Sequence, residues 1–376
     1  MNQNMPMQLP EAVFQFGTGK FLRCFADLFI HEANQTTRPV GRIAVLQSTG
    51  TARAKTFHRQ GGRYHAAIRG LERGRRIDRT VEVCSVSRAL TAAEDWEEVL
   101  ALGRCESLQA IVSNTTEAGY ALEPGDLPDH RPPQSFPAKL LLLLQARYES
   151  GGRGVAVLPC ELLENNAERL IGLVLDQARS WDLSEDFMSW LREECSWHNT
   201  LVDRIVSAPK DDDPLAAADP LFAVAEPFAQ WLIEGSPPVP GLVEHPAVQL
   251  VEQIAPYHLR KVRILNGAHT ALVAKAIPLG ITTVREAVSD AEIGRWLNTL
   301  LFEEIVPVLE GRTDDPAQFA RDTLERFANP FLEHRLADIA LHHEVKVKTR
   351  LAPTYEEFQR QFGRVPGLLH ELLSAP

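Results

Sequence analysis

The chain has 376 residues, of which 44% are hydrophobic and 24% are charged, and its formal net charge is −11 at pH 7. This length predicts two domains, and the acidic balance argues against nucleic acid as a partner. The five cysteines are scattered without a CxxC pair, so we expect neither a disulfide framework nor a metal site. The amino terminus lacks a basic stretch followed by an apolar run, and we therefore expect a cytoplasmic protein without a membrane span.

The first 200 or so residues alternate short apolar runs with helical patterns, which is typical of an α/β sheet domain. The predicted strands are residues 12–16, 42–47, 81–86, 110–113 and 154–158. An amphipathic helix is predicted over residues 21–34, directly after the first strand. Strands that alternate with helices favour a parallel sheet with right-handed crossovers.

The composition changes after residue 206. Residues 207–220 are rich in proline and aspartate and are interpreted as a linker or surface loop. Beyond them, helical spacing predicts helices over residues 229–234, 246–254, 262–276, 291–309 and 316–327. We therefore divide the chain into an α/β domain, residues 1–206, and a mostly α-helical domain, residues 207–376.

A glycine pair, Gly17 and Gly19, lies where the first strand becomes a helix. Glycines at such a turn let the backbone approach a pyrophosphate, which predicts a Rossmann-like dinucleotide-binding domain. The usual third glycine is replaced by Leu22, so the fingerprint is incomplete and a plain tight turn remains an alternative. The second strand ends without an acid, and Arg53 and Lys55 follow, which leaves NAD and NADP both open.

A polar segment, residues 113–119, follows the strand at residues 110–113. Open α/β sheets bind ligands at the carboxyl ends of their strands, so this segment is a candidate ligand contact. The alternative is a helix cap formed by Thr115 or Thr116.

The segment around residue 265 places Lys261, Asn266 and His269 at K-x4-N-x2-H spacing. On a regular helix, with Lys261 at zero, Asn266 falls at about 140° and His269 at about 80° around the axis. A lysine deprived of water can exchange protons near neutrality, and an amide with an imidazole can hold one oxygen. The set suits proton transfer to an alcohol or carbonyl oxygen, while an amphipathic helix with a solvated lysine is the alternative.

Six motifs occur in register along the chain: FGTGKFLR (16–23), SNTTEAG (113–119), PCELLENN (159–166), NTLVDRI (199–205), AEPF (225–228) and KVRILNGAHTALV (261–273). Together they resemble the mannitol dehydrogenase family of polyol-specific long-chain dehydrogenases. Within it, the NGAHTAL and SNTTEAG motifs are closest to the tagaturonate reductases, also called altronate oxidoreductases. The family usually continues for several helices beyond the counterpart of Pro353, so we expect a short or truncated member.

The resemblance implies zinc-independent, NAD-linked hydride transfer with Lys261 as the acid/base. It implies that Asn266 and His269 hold the substrate oxygen, that Asn166 completes an oxyanion pocket and that Asp203 contacts the substrate. The residues that would hold the cofactor are Gly17, Gly19, Phe21, Arg23, Asn114, Thr116 and Glu117.

On this basis we expect reduction of a keto-hexuronate, tagaturonate, to the hexonate altronate, without a metal. A sugar acid needs a cation, and Lys346, Lys348 and Arg350 would share one face if the segment were extended with period two. A solvated basic edge is the alternative for this cluster. The alternatives for the whole protein are a fructuronate reductase, a mannitol or other polyol dehydrogenase, and a non-catalytic NAD(H)-binding member.

Overall fold

The computed structural model describes residues 9–374 and divides them into two compact units. The first unit comprises residues 9–68, 79–225 and 229–254, and the second comprises residues 69–78, 226–228 and 255–374. The first is an α/β unit and the second is mostly helical, which confirms the predicted fold class.

The strands are β1 (Glu11–Phe16), β2 (Arg42–Gln47), β3 (Tyr64–Glu72), β4 (Arg75–Val83), β5 (Val86–Thr91), β6 (Ala110–Ser113), β7 (Ala156–Pro159), β8 (Ser196–Trp197), β9 (Thr200–Asp203), β10 (Val206–Ser207), β11 (Ala223–Ala225), β12 (Gln230–Glu234) and β13 (Val248–Val251).

The α-helices of the first unit are α1 (Lys20–Arg23), α2 (Ala26–Ala33), α3 (Ala52–Arg59), α4 (Trp96–Gly103), α5 (Phe136–Glu149), α6 (Asn166–Ser180), α7 (Glu185–Glu193) and α8 (Pro214–Ala218). Those of the second are α9 (Ala255–Arg260), α10 (Gly267–Ala276), α11 (Val284–Ser289), α12 (Ala291–Thr299), α13 (Val306–Leu309), α14 (Pro316–Phe327), α15 (Leu336–Ala340), α16 (His343–Arg350), α17 (Ala352–Phe362) and α18 (Gly367–Ser374). Two π-helical segments, Lys261–Asn266 and Leu300–Ile305, join α9 to α10 and α12 to α13.

The main sheet has six parallel strands in the order β5-β2-β1-β6-β7-β8. Its central strands are almost entirely buried, as expected for a parallel sheet covered on both faces. β1 lies between β2 and β6 in the sheet. The chain first builds the sheet outward from one edge of β1, through β2, and later adds β6 at the other edge of β1. The carboxyl ends of β1 and β6 therefore form the switch point at which such sheets bind ligands.

Two predicted helices, residues 229–234 and 246–254, are wrong, because these segments contain β12 and β13. β12 pairs in parallel with β13 and antiparallel with β9. Short apolar runs fit either a strand or a helix, and here pairing with a distant strand decides. The predicted strand at residues 81–86 is also displaced: β4 ends at Val83 and β5 begins at Val86, while the Ser85 hydroxyl donates to the carbonyl of Asp27 at 2.7 Å.

The predicted boundary at residue 206 differs from the observed division. β11 pairs with β3, and β12 pairs with β9, so most of the chain up to residue 254 belongs to the α/β unit. Residues 207–220 are accordingly not a linker between domains. Within them, the Asp219 carboxylate accepts hydrogen bonds from the backbone nitrogen of His65 at 2.6 Å and from Gln60 at 2.8 Å.

The predicted helices over residues 262–276, 291–309 and 316–327 are confirmed, the first two with a π-helical insertion each. The predicted helix over residues 21–34 is present as two pieces, α1 and α2. Ile264, Leu272 and Leu297 are fully buried in the core of the second unit. Within residues 9–374, none of the helices has the length and apolar character that crossing a membrane requires.

Candidate active site

A cavity of about 710 Å³ opens in the first unit at the switch point of the main sheet. Four of the predicted cofactor residues line it, namely Gly17, Gly19, Asn114 and Thr116. The wall also includes Gln47, Arg53 and Lys139. Lys139 was not predicted as a site residue; the only signal in the sequence is a single charge at the start of the otherwise apolar leucine run of α5.

The two glycines of the turn have different structural requirements. Gly17 has φ +116°, and a Cβ there would lie 3.3 Å from the carbonyl oxygen of Asn114, so only glycine fits without strain. A Cβ on Gly19 would meet no protein atom within 4 Å. The backbone at Gly19 is thus open to the cavity, which fits the close approach of a pyrophosphate.

Arg23, which was expected to bind the cofactor phosphates, is buried, and its guanidinium forms hydrogen bonds with backbone carbonyl groups. Its Nη1 donates to the carbonyl of Thr18 at 2.6 Å and its Nε donates to that of Leu221 at 2.9 Å. Burial lowers the pKa of the guanidinium. This corrects the prediction: Arg23 holds the glycine turn in position, while Phe21 stacks on Phe25 with ring centroids 4.8 Å apart.

The SNTTEAG segment leaves the end of β6 and forms a single 3-10 turn, Glu117–Gly119. It is tied to β7, because Nδ2 of Asn114 donates to the carbonyl of Cys160 at 2.7 Å. Thr116 is exposed and lines the cavity. The side chain of Glu117 lies outside the described part of the structure, so its predicted role remains a prediction.

Glu161 is a site residue that the sequence reasoning missed. Its buried carboxylate accepts hydrogen bonds from the Ser113 hydroxyl at 3.0 Å, from the backbone nitrogen of Thr115 at 2.7 Å and from the Tyr120 hydroxyl at 3.1 Å. Burial raises the pKa of this carboxyl group. The available signal was an acid placed two residues after the end of β7, the strand next to β6.

Asn166, expected in an oxyanion pocket, has a side-chain amide that is fully engaged. Its Nδ2 lies 3.1 Å from each of the carbonyl oxygens of Pro159, Glu161 and Thr200, and its Oδ1 accepts from the backbone nitrogen of Thr200 at 3.0 Å. An amide nitrogen carries two hydrogens, so none remains for a substrate oxygen. The structure corrects this assignment: Asn166 positions the start of α6 against β9.

Asp203 is the last residue of β9, where it lies opposite Gln230 of β12. It is buried. Its contact with a substrate remains a prediction.

Lys261 begins the π-helical segment between α9 and α10 and is only 9% exposed. π-Helical turns are rare and are frequent at functional sites. The angles of about 140° for Asn266 and about 80° for His269, relative to Lys261, assume a regular α-helix. The segment from Lys261 to Asn266 is π-helical, so those angles are wrong for this chain. Asn266, the last residue of the segment, is half-buried, and its side chain forms no hydrogen bond with the described residues of the helical unit.

His269 lies one turn after the π segment with its ring enclosed by two others. It stacks on Phe327, with centroids 4.3 Å apart, and meets His334 edge to face at 4.7 Å. Its Nε2 is buried and has no hydrogen-bond partner among the described residues. An unsatisfied buried nitrogen of this kind is a candidate ligand contact.

The protonation state of His269 follows from its surroundings. Burial lowers its pKa well below the ordinary value, and the positive charges of nearby side chains lower it further, among them Arg326, Arg350 and Lys346. The imidazole is therefore neutral, with one nitrogen that donates and one that accepts.

The KVKTR segment is helical, which corrects the prediction of an extended face with period two. On a helix, residues four apart are neighbours, so Lys346 and Arg350 share a face and Lys348 does not. Arg350 Nη1 donates to the Thr270 hydroxyl at 3.2 Å, and Lys346 Nζ donates to the carbonyl of Ile339 at 2.8 Å. Both side chains are half-buried, whereas Lys348 is exposed. The candidate cation site is thus reduced to Lys346 and Arg350.

Within the described range, no group of three or more histidine, cysteine, aspartate and glutamate side chains is placed to hold a metal ion.

The chain combines a Rossmann-like sheet, with a glycine turn at its switch point, and a mostly helical second unit, as expected for an NAD-dependent dehydrogenase. The chain belongs to the mannitol dehydrogenase family. Residues 11–244 match the mannitol dehydrogenase Rossmann domain, and residues 253–374 match the mannitol dehydrogenase C-terminal domain.

Among its relatives, the chain is 39% identical to the altronate oxidoreductase of Bacillus subtilis (strain 168) over 373 residues, which cover 96% of this chain and 77% of that protein. It is 38% identical to the altronate oxidoreductase of Yersinia pestis over 384 residues, covering 97% of this chain and 79% of that protein. These likenesses confirm the resemblance inferred from the motifs.

Two solved structures share the fold. A D-sorbitol dehydrogenase in substrate-free form superimposes with a TM-score of 0.80 at 24% identity, covering 92% of this chain and 75% of that one. The mannitol 2-dehydrogenase of Pseudomonas fluorescens, in a ternary complex with NAD and D-mannitol, gives a TM-score of 0.78 at 19% identity, covering 97% and 78%.

Proposed function

We propose that this protein is an NAD-dependent oxidoreductase that reduces the keto-hexuronate tagaturonate to altronate, with Lys261 as the general acid. Relatives at 38–39% identity over nearly the whole chain are altronate oxidoreductases. The single observation that carries the choice of a sugar acid is the placement of Arg350, which is bonded to Thr270 and close enough to lower the pKa of His269. A neutral polyol would leave this cation unused.

The cavity of the first unit fits a dinucleotide, since Gly19 leaves its backbone open and Gly17 permits the tight turn. NADH, when bound there, supplies the hydride. Arg23 and Glu161 act indirectly by holding the turn and the SNTTEAG segment in place.

The proton step belongs to the helical unit. As hydride arrives at the carbonyl carbon, negative charge develops on the oxygen, and the Lys261 ammonium transfers a proton to it. The Asn266 amide donates a hydrogen bond to the same oxygen, and loss of one such donor typically costs ~100- to 1,000-fold in rate. His269, being neutral, binds a neighbouring hydroxyl through its buried Nε2.

The substrate carboxylate is held by Arg350, with Lys346 as a second cation. A guanidinium donates two parallel hydrogen bonds to a carboxylate, which fixes the orientation of the sugar acid as well as its affinity. Thr270 stabilises the guanidinium from the side of α10.

The test is NADH oxidation by the purified protein with tagaturonate, fructuronate and fructose. Tagaturonate should be the best substrate, and Lys261→Ala should lower turnover by at least ~100-fold, the usual share of general acid–base catalysis. NADH binding by the variant should be unchanged. Lys275→Ala, on the neighbouring helix α10, is the matched control and should remain active.

A Lys261→Ala variant that keeps more than about a tenth of the activity would contradict the acid–base assignment, because less than the expected share is lost. Preference for fructose over both uronates would favour a neutral-polyol enzyme. Binding of NADH without turnover of any of the three would favour a non-catalytic protein.

A further inference from the structure

We infer that the adenosine end of the cofactor cavity accepts a ribose 2′-phosphate, so that the protein uses NADPH as well as NADH. The inference rests on the proposed function, because it requires a dinucleotide in this cavity. It concerns the wall formed by the end of β2 and the start of α3, where Gln47, Ser48, Thr49 and Arg53 line the space.

The first argument is the absence of an acid from this stretch of sequence. In Rossmann domains selective for NAD, an aspartate or glutamate after the second strand binds the ribose 2′-hydroxyl. The same carboxylate rejects a 2′-phosphate by charge repulsion. From position 47 to position 71 this chain contains neither aspartate nor glutamate. The repulsive element that would exclude NADPH is therefore missing from this wall.

The residue at the end of β2 cannot take the place of the acid. Gln47 Oε1 accepts from the backbone nitrogen of Ala54 at 2.8 Å, and its Nε2 donates to the carbonyl of Thr49 at 2.8 Å. The amide thus stabilises the turn from β2 to α3. With both ends engaged, it is not arranged to select a ribose hydroxyl.

Arg53 supplies a positive charge on the same wall. Its Nη1 lies 3.3 Å from the Thr18 hydroxyl, so the guanidinium reaches from α3 towards the glycine turn. It forms no ion pair with a carboxylate of the described residues, and its side chain is exposed at the cavity. A guanidinium binds phosphate with paired hydrogen bonds, and the hydroxyls of Ser48 and Thr49 add further donors.

The cavity also contains an acidic residue, Glu123, which comes from the segment after the SNTTEAG turn and not from the β2–α3 wall. The cations Arg53 and Lys139 line the same cavity and outnumber this carboxylate. Of the two, Arg53 lies on the β2–α3 wall, so its loss would weaken the attraction of that wall for an additional phosphate.

The experiment measures binding and turnover separately for NADH and NADPH. Calorimetric titration of the full chain should give dissociation constants for the two that differ by less than about tenfold, since the β2–α3 wall holds no carboxylate to repel the extra phosphate. Turnover of tagaturonate with each cofactor should show a similar ratio. Raising the ionic strength should weaken NADPH binding more than NADH binding.

Arg53→Ala should weaken NADPH binding by about tenfold or more, as expected for a lost charge-assisted bond, and change NADH binding less than about threefold. The matched control is Arg59→Ala, which removes an exposed arginine of the same helix that bonds to Thr56 and does not line the cavity. Ser48→Asp restores a carboxylate to the wall and should selectively weaken NADPH binding. The Ser48 substitution removes none of the Gln47 hydrogen bonds that stabilise the turn from β2 to α3.

NADPH binding weaker than NADH binding by about 1,000-fold or more would overturn the inference, as would equal effects of Arg53→Ala on both cofactors. Failure of both dinucleotides to bind would overturn it together with the proposed function. Binding of both in the expected ratio, without turnover of tagaturonate, would contradict the proposed function alone.

Discussion

The carboxylate of Glu161 accepts two hydrogen bonds from Thr115, one from the backbone nitrogen at 2.7 Å and one from the hydroxyl at 3.1 Å. Thr115 lines the cofactor cavity, whereas Glu161 does not. A buried acid behind the wall therefore fixes the shape of the SNTTEAG segment. This relationship makes Glu161 a positioning residue for cofactor binding.

Glu161→Gln should raise the Michaelis constant for NADH while lowering the turnover number much less, because a glutamine cannot accept bonds at both ends. The free energy of unfolding should fall by about 1–3 kcal/mol, the usual cost of leaving buried polar groups unpaired. Steady-state kinetics and urea unfolding measure the two effects. Glu106→Gln, at an exposed carboxylate, is the control; equal changes in both variants would show that Glu161 has no such role.

Gly19→Val should weaken NADH binding by about tenfold or more, because the side chain would occupy the space into which a pyrophosphate must come. The fold should be retained, since a Cβ at this position meets no protein atom within 4 Å. Calorimetric titration and thermal unfolding test the two parts. The control is Gly172→Val in α6, where a Cβ is equally unobstructed. Unchanged NADH affinity in Gly19→Val would place the cofactor elsewhere.

Arg350→Ala should raise the Michaelis constant for tagaturonate by about 10- to 150-fold, the value of a charge-assisted hydrogen bond of roughly 1.5–3 kcal/mol. Lys348→Ala should have little effect, because this lysine is exposed on another face of α16. The pair is a matched test, since both variants remove one positive charge from one helix. Equal kinetics in the two variants would remove Arg350 from the carboxylate site.

The pKa of His269 predicts how stability depends on pH. Because burial lowers this pKa in the folded state, the unfolded state binds the proton first as the pH falls below about 6.5. The stability that the neutral ring contributes is therefore present above that pH and is lost below it. His269→Gln should show a shallower loss of unfolding free energy between pH 8 and pH 5 than the unmodified protein.

The quantity to measure is the difference in unfolding free energy between the His269→Gln variant and the unmodified protein at each pH, because other buried groups titrate in the same range. Asp27, whose pKa burial raises to about 7, acts in the opposite sense: its contribution is lost as the pH rises through that value. Urea unfolding at several pH values gives both curves, and Asp27 contributes equally to each. Parallel curves would contradict the assignment of a depressed pKa to His269.

Chelators should leave the activity unchanged, because the proposed mechanism obtains both its positive charge and its proton from Lys261. Activity should be assayed after dialysis against EDTA and again after addition of zinc. Loss of activity on dialysis and its recovery with zinc would overturn the lysine mechanism.

Some features were determined by the sequence alone. The strands β1, β2, β6 and β7 were predictable because each is a short, mostly apolar run and because such runs alternate with helical patterns in this part of the chain. Long helical periodicity likewise predicted α14, and the six motifs predicted the family before any fold was known. These features depend on patterns that are local in sequence.

The tertiary structure decided the rest. β12 and β13 are strands because β12 pairs with β9 on one side and with β13 on the other, and no periodicity within six residues can report such partners. KVKTR lies in a helix, which separates Lys348 from Arg350.

The motifs also did not show where polar groups point. Arg23 and Asn166 belong to cofactor and substrate motifs, yet Arg23 donates to Leu221 and Asn166 bonds to Thr200. A buried polar group must be satisfied by whatever the packed chain places beside it. Residue type and spacing therefore indicated which segments hold candidate site residues, and only the tertiary contacts decided which of their side chains remain available to a ligand.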